Sequence, residues 1–506
     1  MSSTTFGAAS RWYLMASLTD KAGFLIAANF VKYGVGFVMP MMLVRVLSKA
    51  DYGTYQQLQL IGSVATGLLV LGLPNSIYYF YQRDGGRGRA ALIQQTLALL
   101  LISGALAAVA LAVSAPHFAV WMNNPALANF LPIFAISIGL GIAAEHFVHF
   151  MISQDHYATA VLFETGETVV RVGVLVLPVL AGYGLPGLLW AIVGLMLGRF
   201  ALRQVMLLRG IDWQVRPAPG TLFMRQQLAY SLPLCFTSVV GLIGGALDRM
   251  IIAANFTPIE YAIYAVGALE IPLDSIFQVA VANVLRAALP ALVRDANYAE
   301  IARLVRESTR KLSIVILPAF AFLFAYADEF ISLLFTKAYS ESVSVFRVYL
   351  WLVPMHMFIL SPIPQAFGRT KINFYLVSFD TVLHVAMSFL FLRWFGYLGP
   401  AISSIVATYI LAFMYFVVAM RLVRVSPLAL LPVQGFARVG SACIVALLVS
   451  RQVFAAGAAE GLFLLAMAGA LFSVVFVAAA ILLRVFTEQD RQLAARWAGR
   501  LGLVRR

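Results

Sequence analysis

Charged side chains are scarce in this chain: Asp, Glu, Lys and Arg make up 11% of its 506 residues, against about 25% in soluble globular domains. That shortage excludes an ordinary soluble enzyme. Cysteine is nearly absent too. Cys235 and Cys443 both fall inside apolar runs, so no disulfide framework is implied. No Gly-Lys dipeptide occurs, which removes a Walker A loop and any internal nucleotide engine. His-Glu-x-x-His and Cys-x-x-Cys are also missing, and no cofactor or metal is expected. Residues 1–21 are polar and lack a short apolar core with a cleavage site, so no signal peptide is read there.

Apolar residues are what the chain has instead, at 62% with a mean hydropathy of +0.89. A bilayer-spanning helix takes about 20 of them. Long apolar runs occupy 22–46, 55–80, 91–114, 126–151, 157–181 and 184–208, then 229–254, 261–286, 312–335, 343–366, 372–395 and 397–421, and finally 433–454 and 460–484. The pattern predicts an all-α polytopic membrane protein of about fourteen spans. Its divisions are a six-helix bundle over 1–210, a second over 226–424, and two added helices with a basic tail over 430–506. The loops are too short to house a catalytic pocket, which argues against an enzyme. Within the connector 286–311, Ile301, Leu304, Val305 and Leu312 recur at helical spacing and suggest an amphipathic helix lying on the membrane surface.

The net charge of +14 would suggest nucleic acid in a soluble protein; here it reads as loops facing anionic lipid, with no nucleic-acid partner. Counted loop by loop, 27 of the 36 Lys and Arg fall on one side of the fourteen-span arrangement and five on the other. Arg199 and Arg203 are included in the larger set. Basic loops stay in the cytoplasm, so both termini are expected inside.

The sequence also repeats. Residues 47–55, Leu-Ser-Lys-Ala-Asp-Tyr-Gly-Thr-Tyr, align with 256–264, Phe-Thr-Pro-Ile-Glu-Tyr-Ala-Ile-Tyr, at an offset of 209. In each, a Ser or Thr stands three residues before an acid, the capping-box pattern that opens a helix. Each then carries two tyrosines, Tyr52 and Tyr55 or Tyr261 and Tyr264, expected at the lipid–water interface. Because six spans separate the copies, both halves share one orientation, and a binding site is expected between them near mid-depth.

Residues 43–55 (Leu-Val-Arg-Val-Leu-Ser-Lys-Ala-Asp-Tyr-Gly-Thr-Tyr) and 71–76 (Leu-Gly-Leu-Pro-Asn-Ser) resemble the start of Wzx-type polysaccharide flippases. Ser231-Leu-Pro-Leu234 and Leu247-Asp-Arg-Met-Ile-Ile-Ala253 echo their second half. These flippases belong to the multidrug/oligosaccharidyl-lipid/polysaccharide exporter superfamily. The resemblance implies two six-helix bundles in a bacterial inner membrane. Its implied substrate is an undecaprenyl-pyrophosphate-linked oligosaccharide for O-antigen, capsule or exopolysaccharide synthesis. Membrane lipids, a polysaccharide polymerase and chain-length machinery are the implied partners. A multidrug/cation antiporter, a lipid II flippase and a membrane polysaccharide polymerase are the alternatives.

Ionisable residues inside spans are costly and mark functional positions. The basic ones are Lys32, Arg171, Arg249 and Arg347, candidates for holding a phosphate headgroup, since the arginine fork pairs bidentately with phosphate. Lys32 falls near mid-depth with no acid one turn away. Arg171 has Glu167 at i−4 as a local alternative partner. The acids Glu164, Glu270, Asp274 and Asp380, with His384, are candidates for ion coupling: Glu270–Asp274 and Asp380–His384 are spaced i, i+4. Glu145–His149 has the same spacing. The bland reading of these acids is polar glue between helices. Pro40, Pro74, Pro272 and Pro318 each remove a backbone hydrogen bond from a span.

Overall fold

The computed structural model describes residues 34–83, 89–154, 156–210, 221–269, 271–455, 461–488 and 490. The described residues are 88% helical, and no strand occurs among them. The helices are α1 (Gly34–Val46), α2 (Lys49–Leu69), α3 (Leu73–Arg83), α4 (Arg89–Trp121), α5 (Leu127–Ala144), α6 (His146–Ser153), α7 (Tyr157–Leu180) and α8 (Gly184–Gly210). Next come α9 (Thr221–Asn255), α10 (Pro258–Gly267), α11 (Pro272–Arg294), α12 (Tyr298–Ala325), α13 (Ala327–Phe335), α14 (Ser342–Leu350) and α15 (Pro362–Ala366). The last five are α16 (Thr370–Phe395), α17 (Gly399–Val423), α18 (Pro427–Leu430), α19 (Val433–Ala455) and α20 (Leu462–Leu482).

Ten stretches among the described residues are long and apolar enough to cross a bilayer, and one of them, Thr370–Val423, holds both α16 and α17. Helix α7 has the length, at 24 residues, but carries Glu164, Glu167 and Arg171. Large apolar side chains stand fully outward along the spans, as Ile102, Leu106, Val109 and Val113 do on α4. Lipid is the solvent that tolerates such a face.

The residues up to Ala265 form one compact unit and those from Val266 another. Helix α9 therefore packs with the first unit, although the repeat places it at the head of the second copy. In the first unit, α4 and α5 pack through Gly104 and Gly139. A Cβ added at Gly139 would stand 2.6 Å from the Gly104 carbonyl oxygen. Lipid supplies no hydrophobic drive between helices, so small residues that let backbones approach take over that role. The second unit has a core of α11, α12, α15 and α17 built on Leu289, Ile301, Ile316, Ile363 and Ala419. The α19–α20 hairpin joins it through Cys443, Phe472 and Phe476, packed against Phe322 of α12. The ion pair of Arg451 with Glu329, at 2.7 Å, adds a polar clasp.

The repeat shows itself in the caps. Ser48 Oγ accepts from the Asp51 backbone N–H and donates to its carboxylate. Thr257 donates its backbone N–H and its hydroxyl to Glu260, and Thr257 Oγ1 accepts from the Glu260 N–H. The tyrosines that follow do not face lipid. Tyr52, Tyr55, Tyr261 and Tyr264 are all buried in protein, with exposures of 1%, 5%, 1% and 0%. Gln56 and Gln59, one turn on, donate to the Tyr52 and Tyr55 hydroxyls, which removes the need for water.

Three expectations about continuity are corrected. The stretch at 301–312 is no separate surface helix, because α12 runs unbroken from Tyr298 and buries Ile301, Val305 and Leu312 against neighbouring helices. Its charges occupy the other face and pair along it, Arg303 with Glu300 and Glu307, and Lys311 with Glu307. The run 261–286 is interrupted: α10 stops at Gly267, and Pro272, at the first turn of α11, restarts the helix after the break. The run 343–366 is likewise split into α14, a 3-10 turn at Val353–Met357 and α15.

Candidate functional site

Glu167 of α7 gathers two arginines from α8, and the continuous helical register of α8 makes this possible. Arg199 and Arg203 are four residues apart on a helix that runs to Gly210, so both side chains stand on one face one turn apart. Arg203 donates from Nε and from its terminal nitrogen to the two Glu167 oxygens, at 3.2 and 2.8 Å. A third bond goes to the Ala144 carbonyl at 2.8 Å. The guanidinium sits between the rings of Phe147 and Phe163, 5.6 and 5.7 Å from their centroids, and the residue is 1% exposed. Arg199 adds its Nε at 3.2 Å from the same carboxylate.

These arginines are therefore not loop residues, as their place near the end of a span suggested. They are interior charges matched to a fixed carboxylate. The i, i+4 pairing of Glu167 with Arg171 is not formed among the contacts of Glu167. The signal in the sequence was the Arg199–Arg203 spacing itself, which places both on one helical stripe.

Around this pair, the α5–α6 junction at Glu145 brings two histidines into the protein. Buried His146 bonds the Ala143 carbonyl through Nδ1 at 3.0 Å. His149 Nδ1 meets the Glu145 backbone carbonyl, not its carboxylate, at 3.3 Å, and its ring contacts Tyr78. The carboxylates of Glu145 and Glu164 act on both His149 and Arg199. Glu164 thus belongs to a mixed cluster in which three acids face Arg199, Arg203 and two imidazoles.

Arg171 lies further along α7. Its guanidinium faces the Tyr55 hydroxyl of α2, and its Nε is buried without a hydrogen-bond partner. A buried donor left unmatched costs about 1–3 kcal/mol, and an anion would remove that cost. Arg249, on α9, is exposed, next to buried Asp248, and acts electrostatically on Tyr261.

The second unit holds the remaining candidates. Arg347 of α14 is occupied: it pairs with Asp328 at 2.6 Å, donates to the Phe324 carbonyl and lies over the Phe324 ring. Asp380 of α16 is half-buried, and its Oδ1 has no hydrogen-bond partner. His384, one turn on, bonds Ser404 of α17 at 2.9 Å through Nε2. Lys32 and Glu270 lie outside the described residues. Asp274 falls in the first turn of α11, and its side chain is also outside them. Among the described residues no three His, Cys, Asp or Glu side chains converge as a metal site.

Solved structures share this architecture. "Lipid II flippase MurJ, inward closed conformation" superposes with a TM-score of 0.66 at 14% identity, covering 91% of this chain and 98% of that one. An inward-facing multidrug resistance MATE family transporter of the MOP superfamily gives 0.62 at 14% identity, covering 77% and 94%. No curated protein matches significantly. The family described as "Polysaccharide biosynthesis protein" matches residues 42–344, more than half of the chain and both copies of the capped repeat. The chain belongs to that polysaccharide biosynthesis family and carries it on the multi-pass fold of the multidrug/oligosaccharidyl-lipid/polysaccharide exporter superfamily.

Proposed function

We propose that this protein is a flippase that moves an undecaprenyl-pyrophosphate-linked oligosaccharide from the cytoplasmic to the outer leaflet of a bacterial inner membrane, by alternating access. The reading is carried by membership of a polysaccharide biosynthesis family in a chain built as a multi-pass membrane bundle. Arg171 supports it, as a half-buried arginine whose buried Nε–H is unmatched and could donate to a phosphate oxygen. Lys32, Arg249 and Arg347 complete the proposed headgroup set, Arg347 only after leaving Asp328. The chain acts here as a transporter and not as an enzyme, with both termini in the cytoplasm. A polymerase and chain-length proteins are its proposed partners.

The energetics are compatible with transport unaided by nucleotide. A headgroup of about two negative charges moving outward gains ~2.3 kcal/mol per charge for each 100 mV of potential negative inside. Asp380, with its bare Oδ1, together with His384, Glu164, Glu270 and Asp274, is proposed to couple an ion gradient to the cycle. The same bare carboxylate favours a second reading, a multidrug/cation antiporter.

Export of lipid-linked glycan in a strain lacking the native gene separates the two. Arg171→Ala should abolish export at normal abundance while Arg171→Lys keeps part of it, and Asp380→Asn should alter the pH or ion dependence of the residual rate. Normal export by Arg171→Ala removes the headgroup assignment. Efflux of a cationic dye that needs Asp380, without glycan export, establishes the antiporter.

A further inference from the structure

Helices α2 and α3 run antiparallel to α9 along a seam inside the first unit, and the two ends of that seam are built from opposite materials. At one end the closure is made by backbone. A Cβ at Gly53 would run into the carbonyl oxygen of Pro258, which opens α10 just past the end of α9, and Tyr52 and Leu58 nearby are buried at 1% and 0% exposure. Further along, Gly67 meets Leu242, and Gly72 fits against the Ser231 carbonyl.

At the other end the closure is polar. Gln227 of α9 is wholly buried. Its Nε2 donates to Ser76 Oγ at 2.9 Å and to Thr96 Oγ1 at 2.7 Å, while its Oε1 accepts from Gln95 at 2.8 Å. Ser76 and Thr96 send their own protons to carbonyls of their own helices. One turn on from Gln227 and Ser76, the rings of Tyr230 and Tyr79 stack 4.8 Å apart at 12°. From Gln227 to Asn255 is 28 residues of continuous helix, about 42 Å at 1.5 Å per residue. The two ends therefore lie at opposite faces of a ~30 Å hydrocarbon layer. Arg83 and Arg225 mark the Gln227 end as the basic one.

An apolar seam opened to water loses about 25 cal/mol for every Å² it exposes. A seam of paired amides and hydroxyls exchanges its bonds for water at little net cost, since such bonds contribute only ~1 kcal/mol each once solvent is counted. Polar groups of this kind add little to a contact that is always shut. They suit one that is alternately shut and wetted. The glycine-to-backbone contact at the far end has no such exchange available and stays closed.

We propose that the Gln95–Gln227–Ser76–Thr96 cluster, with the Tyr79–Tyr230 stack over it, is the releasable closure of the basic end of this seam, pivoting on the Gly53–Pro258 contact. The proposal rests on the alternating-access reading above. It adds the place where access is gated on this side, a role for residues that carry no charge.

Cys235 reports on it directly. It is buried in the seam two turns beyond Gln227, beside the Gly67 and Leu68 carbonyls. In full-length Cys443→Ala protein reconstituted in vesicles, a membrane-impermeant maleimide added from the basic side should modify Cys235 slowly. With Gln227→Ala the rate should rise at least tenfold, and equal rates overturn the proposal. A folding defect is excluded by the second variant, in which Tyr79→Cys and Tyr230→Cys are joined by a short bismaleimide in a Cys235→Ala, Cys443→Ala background. The cross-linked protein should lose transport, and the uncross-linked one should retain it. Normal transport after cross-linking overturns the proposal as well. The labelling arm needs no substrate, so it decides the gate even if the cargo is not a glycan; lost glycan recognition with intact gating would instead fail the flippase reading.

Discussion

Arg203 shows 1% of its surface, and what holds it there is three hydrogen bonds, two to Glu167 and one to the Ala144 carbonyl, with the rings of Phe147 and Phe163 beside the guanidinium. Removing Arg203 leaves Glu167 with Arg199 alone and empties the space beside the two rings, a loss of about 2 kcal/mol or more. Arg203→Ala should therefore lower the thermal midpoint and abundance markedly. Arg199→Ala should do less, since Arg199 shares a carboxylate that Arg203 already holds. Glu167→Leu with Arg199→Leu and Arg203→Leu, which removes the shared carboxylate and both its arginines together, should recover most of the loss in a detergent melt. A triple variant as unstable as Arg203→Ala would show that packing of Phe147 and Phe163 on the guanidinium, not charge matching, sets the effect. Little of this was legible in the sequence. Glu167 and Arg203 are 36 residues apart, and a local partner at i+4 was on offer in Arg171. Asp380 and His384 were visible as a pair by spacing, but the bond from His384 to Ser404 needed α17 beside α16.

At the scale of elements, the caps and most span edges were readable because they depend on neighbours within four residues. The breaks were not. Whether Pro272 kinks a helix or restarts one depends on what receives the freed backbone, and the charged first turns of α12 look like a surface helix until tertiary packing claims Ile301 and Val305. One tail contact shows how far the charges on α12 reach. Arg310 pairs with Asp490 at 2.9 Å and donates to the Val485 carbonyl, while Thr487 caps the same carboxylate. Burial pushes the Asp490 carboxyl up, but hydrogen bonds from Thr487 and Arg310 outweigh it, and the group sits below its ordinary value. A depressed carboxyl contributes stability above the unfolded value of about 3.9 and loses it as pH falls through the folded one. Hydrogen exchange of 483–488, corrected for intrinsic rates, should show protection at pH 7 that fades toward pH 3. Asp490→Asn should exchange fast at both, and equal protection in the variant at pH 7 would assign the docking to Arg310–Val485 alone.

For the whole molecule, the class of fold was plain from composition, because a chain this apolar has only the bilayer as solvent. Orientation rests on the distribution of basic side chains, and moving Arg199 and Arg203 from loop to interior leaves that asymmetry standing. Single cysteines at Asn123 and Ser426, both exposed at helix junctions, should react with an impermeant reagent from opposite sides in a Cys235→Ala, Cys443→Ala background. Asn123→Cys should label from the outside and Ser426→Cys from the cytoplasm. Labelling of both from one side would break the arrangement of spans. The spacing of the repeat places α9 at the head of the second copy, while its packing groups it with the residues up to Ala265.

The closeness of the α2–α9 seam also limits how this gene can drift. Gly53 and Gly72 each leave no room for one added carbon, because what stands opposite is backbone and cannot rotate away. Gly141, Gly166, Gly194 and Gly198 have nothing within 4 Å of where that carbon would go, and helices there should gain from alanine by up to ~1 kcal/mol. A saturation library selected for abundance should accordingly divide the helical glycines into two populations. Alanine at Gly53 should be purged while alanine at Gly166 or Gly194 is enriched, and a uniform tolerance across all of them would mean the seam is looser than its backbone contacts imply. Tolerance of an added carbon along these helices should thus follow distance from the line where backbone meets backbone.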